Sequence, residues 1–188
     1  HTEAENLIKN SGAVILHDQG NKAFYRSSTD SIHLPSRKQF KSPDSYYATA
    51  LHEVGHWTGH PERLNRDLSG SFGSTLYAKE ELRAEIASYM LGTELGIGHD
   101  PSQHVAYIES WVSILESDPL EIFRASRDAQ QISDWVSARG LEKEGKQVVT
   151  QDPVPTSAIS LNEEAMMKVV RSKERIDLVV PYDERQEA

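Results

Sequence analysis

The chain has 188 residues, 37% hydrophobic and 26% charged, which fits one ordinary domain with an appendage and excludes disorder throughout. Twenty basic against 29 acidic side chains give a formal charge of −9, the wrong sign for a module that holds nucleic acid by long-range attraction alone. Cysteine is absent, so disulfides, thiolate nucleophiles and Cys-type zinc fingers are excluded, and any metal must sit on His and carboxylates.

Taken in chain order, Glu3 to Asn10 reads as a short helix closed by Gly12. Short β-prone runs at 13–16, 23–25 and 31–34, separated by turn residues, predict a small antiparallel sheet whose third strand ends at Pro35. Ser42-Pro43-Asp44 combines an N-cap, a proline at the first helical position and an acid in the first turn. A helix is therefore expected through Tyr46 to about Thr58, stopped by Gly59 and Pro61. Arg63 to Thr75 has no helical period and predicts a long surface loop, in which Arg63, Arg66 and Asp67 make ion pairs that shape it. A second long helix is expected from about Ala78 to Leu95.

Beyond Gly96 and Gly98, Val105, Ile108, Trp111, Val112 and Leu115 recur at three- and four-residue steps, which predicts one buried helical stripe. Asp118-Pro119 opens a further helix with the stripe Leu120, Phe123, Ile132, Trp135 and Val136, ended by Gly140. The compact domain is thus read as residues 1–140. A linker without period is expected over 141–161, and a C-terminal tail over 162–188, with a short helix at 162–173 and a β-prone run at 176–180. No run approaches the roughly 20 apolar residues needed to cross a bilayer. The start at His1 rather than Met reads as a piece of something longer.

The informative segment is His52-Glu53-Val54-Gly55-His56, centred in the helix that begins at Ser42. Positions four apart on a helix lie one above the other, so both imidazoles can point at one ion while Glu53 faces its water. This is the H-E-x-x-H zinc signature, set among apolar Ala50, Leu51, Val54 and Trp57 as a buried active-site helix requires. Catalytic zinc uses three protein ligands and keeps one position for water, so two His are not enough. Glu81 and Glu85 sit four apart on the next long helix, and small Ala84 and Ala87 would let that helix come close. Either could bind the ion while the other orients a ligand imidazole. The favoured arrangement has Glu81 as ligand and Glu85 behind an imidazole. The same Glu80, Glu81 and Glu85 also fit a solvated face complementary to the helix dipole. Glu62 is a third candidate, because His52 to Gly59 opens the H-E-x-x-H-x-x-G-x-x-H pattern, yet that pattern breaks at its last residue.

Three linked segments, His52-Glu53-Val54-Gly55-His56-Trp57-Thr58-Gly59-His60, Arg63-Leu64-Asn65-Arg66-Asp67-Leu68 and Tyr77-Ala78-Lys79-Glu80-Glu81-Leu82-Arg83-Ala84-Glu85, carry a family resemblance over about residues 1 to 140. They resemble the zincin-like metallopeptidase domain of ArdC-type antirestriction proteins and plasmid TraC-type primases. The resemblance implies an α+β zincin-like fold, a small sheet followed by a mostly helical half. It also implies a zinc-type site, a cytoplasmic setting and a role in mobile elements entering a new cell. Family members usually carry a domain for single-stranded DNA ahead of this one, and nothing like it precedes His1. Single-stranded DNA is therefore expected as a partner only through that absent domain.

The resulting expectation is metal-assisted hydrolysis of a peptide bond. His52, His56 and a carboxylate, Glu81 or Glu85, hold zinc or manganese, and Glu53 is the general base. Zincins also place a strand edge beside the active-site helix. Ser31 to Leu34 is the candidate, with an interior position as the alternative, and His33 is expected to face solvent. Tyr77 and His60 are candidate donors to an oxyanion. The rival reading is a binding module that the metal merely stiffens.

Overall fold

The computed structural model describes residues 1–17, 20–98 and 105–142. Its elements are α1 (Thr2–Ser11), β1 (Val14–Leu16), β2 (Phe24–Arg26), β3 (Ser31–His33), α2 (Pro43–Trp57), α3 (Thr75–Glu94), α4 (Val105–Ser117) and α5 (Glu121–Glu142). The fold is α+β. No helix among the described residues is long and apolar enough to cross a membrane. The linker and tail expected over 141–161 and 162–188 lie, from residue 143 onward, outside the described residues.

The helix starts follow their local chemistry. Ser42 caps α2, its hydroxyl accepting from the Ser45 N–H, with Pro43 in the first turn. Ser74 does the same for α3 by accepting from the Tyr77 N–H, so that helix begins a turn earlier than expected. Gly12 ends α1 at φ 90, the left-handed conformation that glycine adopts without steric cost.

The small sheet is mixed, not antiparallel throughout as the sequence predicts. Its order is β1-β3-β2, with β1 parallel to β3 and β2 antiparallel to β3, so Ile32 is flanked by Ile15 and Tyr25. Ser31–His33 is the central strand rather than an edge, and all three of its residues are buried. His33 accordingly faces no solvent: its ring stacks on Phe24 at 4.8 Å, and its Nε2 lies 3.1 Å from the Ser31 hydroxyl. Three-residue strands carry too few alternations to announce their neighbours, which is why pairing was misread.

Ile32 and Leu34 join Leu51, Val54, Leu91, Ile132 and Val136 in one core on which α2, α3 and α5 converge. Two helical readings shift. On α4, Ile114 is buried while Ile108 and Val112 are exposed, so the buried stripe is rotated toward Tyr107, Trp111 and Ile114. On α5, Leu120 lies just outside the helix and is exposed, and Ala125, Ala129, Ile132 and Val136 form the buried line. Gly140 sits inside α5 instead of ending it, because α1 crosses there. A Cβ on Gly140 would lie 2.6 Å from Leu7 Cδ1, and the Asn10 amide donates to the Gly140 carbonyl at 3.1 Å.

Candidate metal centre

Spacing puts His52, Glu53 and His56 on one face of α2, and the approach of α3 supplies the other wall. The two helices meet where side chains are smallest: a Cβ on Gly55 would lie 3.3 Å from Ala84 Cα and 3.4 Å from its Cβ. That contact brings the carboxylates of α3 over the imidazoles of α2.

Three donor atoms converge. His52 Nε2 and His56 Nε2 are 3.2 Å apart, and Glu81 closes the triangle with Oε2 at 3.3 Å from the first and Oε1 at 3.3 Å from the second. A tetrahedral ion with bonds of about 2.0–2.1 Å has ligand-to-ligand edges of about 3.3–3.4 Å, so each of these contacts has the length of one such edge, the Glu81 carboxylate lying across the two nitrogens through its two oxygens. The donor set, two imidazoles and one carboxylate, is a recognised zinc set, and among the described residues these three form the group able to hold a metal.

Glu85 lies on the other side of His52, with Oε2 at 3.3 Å from Nδ1, and thus behind the imidazole. Glu80 holds the matching place behind His56, Oε1 at 3.3 Å from Nδ1. The sequence offered no way to separate Glu80 from a solvated helix face, and it is buried. Glu62 is exposed, and His60, whose Nδ1 accepts from the Glu62 N–H at 3.2 Å, does not line the cleft. Tyr77 does line it; its hydroxyl lies 3.3 Å from that of Tyr107. Tyr107, far along the chain on α4, had no sequence signal.

Protonation follows from this crowding. Burial alone would pull His52 down, but the carboxylates of Glu81 and Glu85 push it up to about 9. His56 is likewise opposed by burial and pushed up to about 10 by Glu80 and Glu81. Burial disfavours charge on Glu80 and Glu81, yet the imidazoles hold both carboxyls below their ordinary value, helped at Glu80 by Arg66. Glu53 goes the other way: burial raises it, which is the direction a base working near neutral pH requires.

The triangle opens into a cleft of about 870 Å³. It is lined by Phe24 and Tyr25 of β2 with Ala23 just before them, and by Asp67, Leu68 and Gly70 of the loop after α2. Arg63 fixes that loop. It donates to the Trp57 carbonyl at 2.6 Å and to Asp30 Oδ2 at 3.0 Å, and its guanidinium lies 3.9 Å from the Trp57 ring centroid.

Comparison with known proteins agrees with this architecture. The zincin-like metallopeptidase family MPTase-PolyVal matches residues 2–128. The chain is 55% identical over 181 residues to a DNA primase TraC of Escherichia coli, covering 96% of this chain and 16% of that protein. It is 41% identical over 146 residues to the uncharacterized protein y4eC of Sinorhizobium fredii, covering 77% of this chain and 47% of the other. The chain therefore spans less than half the length of these relatives. Among solved structures, the antirestriction protein ArdC from plasmid R388 in its Mn(II)-bound form matches with a TM-score of 0.69 and 36% identity, over 80% of this chain and 54% of that one. Its metal-free form matches at 0.68 and 37%, over 76% and 52%. With a match across two thirds of its length and a site of the corresponding kind, the chain belongs to the zincin-like metallopeptidase family.

Proposed function

We propose that this domain is a metal-dependent peptidase in which His52, His56 and Glu81 hold one divalent ion and Glu53 is the general base. The observation that carries the reading is two imidazole nitrogens 3.2 Å apart, each 3.3 Å from an oxygen of the Glu81 carboxylate, beside a buried glutamate. Zinc suits the donor set, and manganese is the alternative suggested by the ArdC relative.

The bound ion would supply a Lewis acid that polarises a carbonyl and acidifies water. The chain's own residues supply the rest. Glu53, raised by burial, takes a proton from the attacking water and returns it to the leaving amine. Tyr77, whose hydroxyl group lines the cleft beside that of Tyr107, serves as a donor to the developing oxyanion. The unpaired side of β2 offers backbone groups to an extended peptide, the mode of strand addition. Glu80 accepts from His56 Nδ1, and the Glu85 carboxylate stands 3.3 Å from His52 Nδ1, so a proton on each Nδ1 is favoured and both Nε2 atoms are left for the ion.

A peptide suits the cleft better than nucleic acid, because Glu53, Glu80, Glu81 and Glu85 all line it and repel phosphate. The role in DNA transfer or antirestriction suggested by TraC and ArdC belongs in this proposal to a larger protein acting in the cytoplasm, with single-stranded DNA handled elsewhere in it. The rival reading, a module that the metal only stiffens, is weakened by ArdC, whose metal-free and Mn(II)-bound forms match this fold almost equally. The deciding variant is Glu53→Gln. It should bind Zn(II) and Mn(II) as the parent does and lose all cleavage of a peptide library that the parent cleaves. A parent that takes up neither metal ends the proposal.

A further inference from the structure

Arg66, in the loop after α2, makes four hydrogen bonds in two directions. Its Nη2 donates to the Gly55 carbonyl at 2.7 Å and its Nη1 to the Thr58 hydroxyl at 2.9 Å, which satisfies the last turn of α2. Toward α3, Nη2 donates to Glu80 Oε1 at 2.7 Å and Nε to Oε2 at 3.1 Å, a two-toothed grip that fixes both the position and the plane of the carboxylate. The same Oε1 stands 3.3 Å from His56 Nδ1. Room for this arrangement comes from Gly59, where a Cβ would lie 3.1 Å from Arg66 Nη2.

We propose that Arg66 and Glu80 are positioning residues for metal binding: Arg66 locks the Glu80 carboxylate, and Glu80 holds the proton of His56 on Nδ1. The Nε2 lone pair then faces His52 and Glu81. This inference rests on the metal-site reading above and adds a dependence on a loop residue that touches neither metal nor substrate. A carboxylate is required at position 80. Arg66 donates to both oxygens, so a glutamine, with one acceptor oxygen and no charge, must turn its NH2 toward either Arg66 or His56, which breaks the grip and removes the charge that holds the proton on Nδ1.

The test uses the full chain. Zn(II) and Mn(II) affinities are measured for the parent and for Glu80→Gln by competition with a chelating dye, together with the melting temperature of each metal-free protein. Glu80→Gln should weaken both affinities by roughly 10- to 100-fold. If Arg66 and Glu80 serve only to cap α2, Glu80→Gln lowers the metal-free melting temperature and leaves both affinities within about twofold of the parent, which overturns the inference. Nitrogen-15 spectra of the Zn(II)-loaded parent supply a readout that survives a variant that does not fold. His56 bound through Nε2 with its proton on Nδ1 is expected, and His56 bound through Nδ1 overturns the inference. Failure of the parent to bind either metal refutes the metal-site reading itself, and is seen before any variant is made.

Discussion

Two interfaces of α3 bury carboxylates, and they do so in opposite ways. Against α5, Glu121 is 2% exposed, and Arg83, Arg124 and Lys79 all reach it at 2.8 to 3.3 Å, while Arg83 also holds Asp128 at 2.8 Å. Among the described residues the carboxylates and cations there pair with one another. Against α2, Glu53, Glu80, Glu81 and Glu85 surround two imidazoles and the single guanidinium of Arg66, and three donor atoms point at one spot beside a cleft. Matched buried charge is an architectural tie. Buried donors in excess of fixed cations are a place prepared for a positive ligand.

If that distinction is right, the two interfaces respond differently to substitution. Glu81→Ala should cost the largest amount, about 4 kcal/mol of metal affinity or roughly a thousandfold, measured by dye competition, because one of three donors is lost. Glu121→Ala should cost about 2 kcal/mol in urea unfolding of the metal-free protein, since it removes the buried carboxylate that Arg83, Arg124 and Lys79 share, and leave Mn(II) affinity within about twofold. Equal effects of both variants on metal binding would erase the contrast. Gly55→Val should lose about 2 kcal/mol of stability, because it overpacks the helix crossing, and should also weaken metal binding.

The smallest effect is a pH dependence confined to the metal side. His52 and His56 stand at about 9 and about 10 in the folded chain, above their ordinary 6.5. Their contribution to stability is complete below the ordinary value and is lost as pH rises through the folded values. The metal-free protein should therefore melt a few degrees lower at pH 10 than at pH 7. Glu81→Gln, which removes a partner of both imidazoles, should flatten that slope.

The same contrast explains what could be read from sequence. α2 was legible in full, because its cap, proline, apolar flank and H-E-x-x-H spacing are all local and mutually consistent. Glu81 and Glu85 could be nominated from their four-residue step. Glu80 could not, because a run of glutamates near a helix start looks the same whether water or a histidine faces it. Almost every turn of α3 buries something, charged or small, so no apolar stripe marks its inner side. The sheet failed for another reason. Strands of three residues have no alternation long enough to fix register or neighbour, so the sequence leaves β3 open between edge and interior, and the structure puts it between β1 and β2. The expected ion pair of Arg66 exists, but its partner is Glu80 on α3, 14 residues away and outside the loop, which only the fold reveals.

The crossing of Gly55 on Ala84 has one more implication. Neither residue has a rotamer to change, so any widening there passes undamped into the separation of the donors on the two helices. A spectroscopically active ion such as cobalt placed in the centre would then serve as a strain gauge. Its absorption bands should shift with pressure or with added bulk at this crossing, and should be indifferent to similar changes where α1 meets α5.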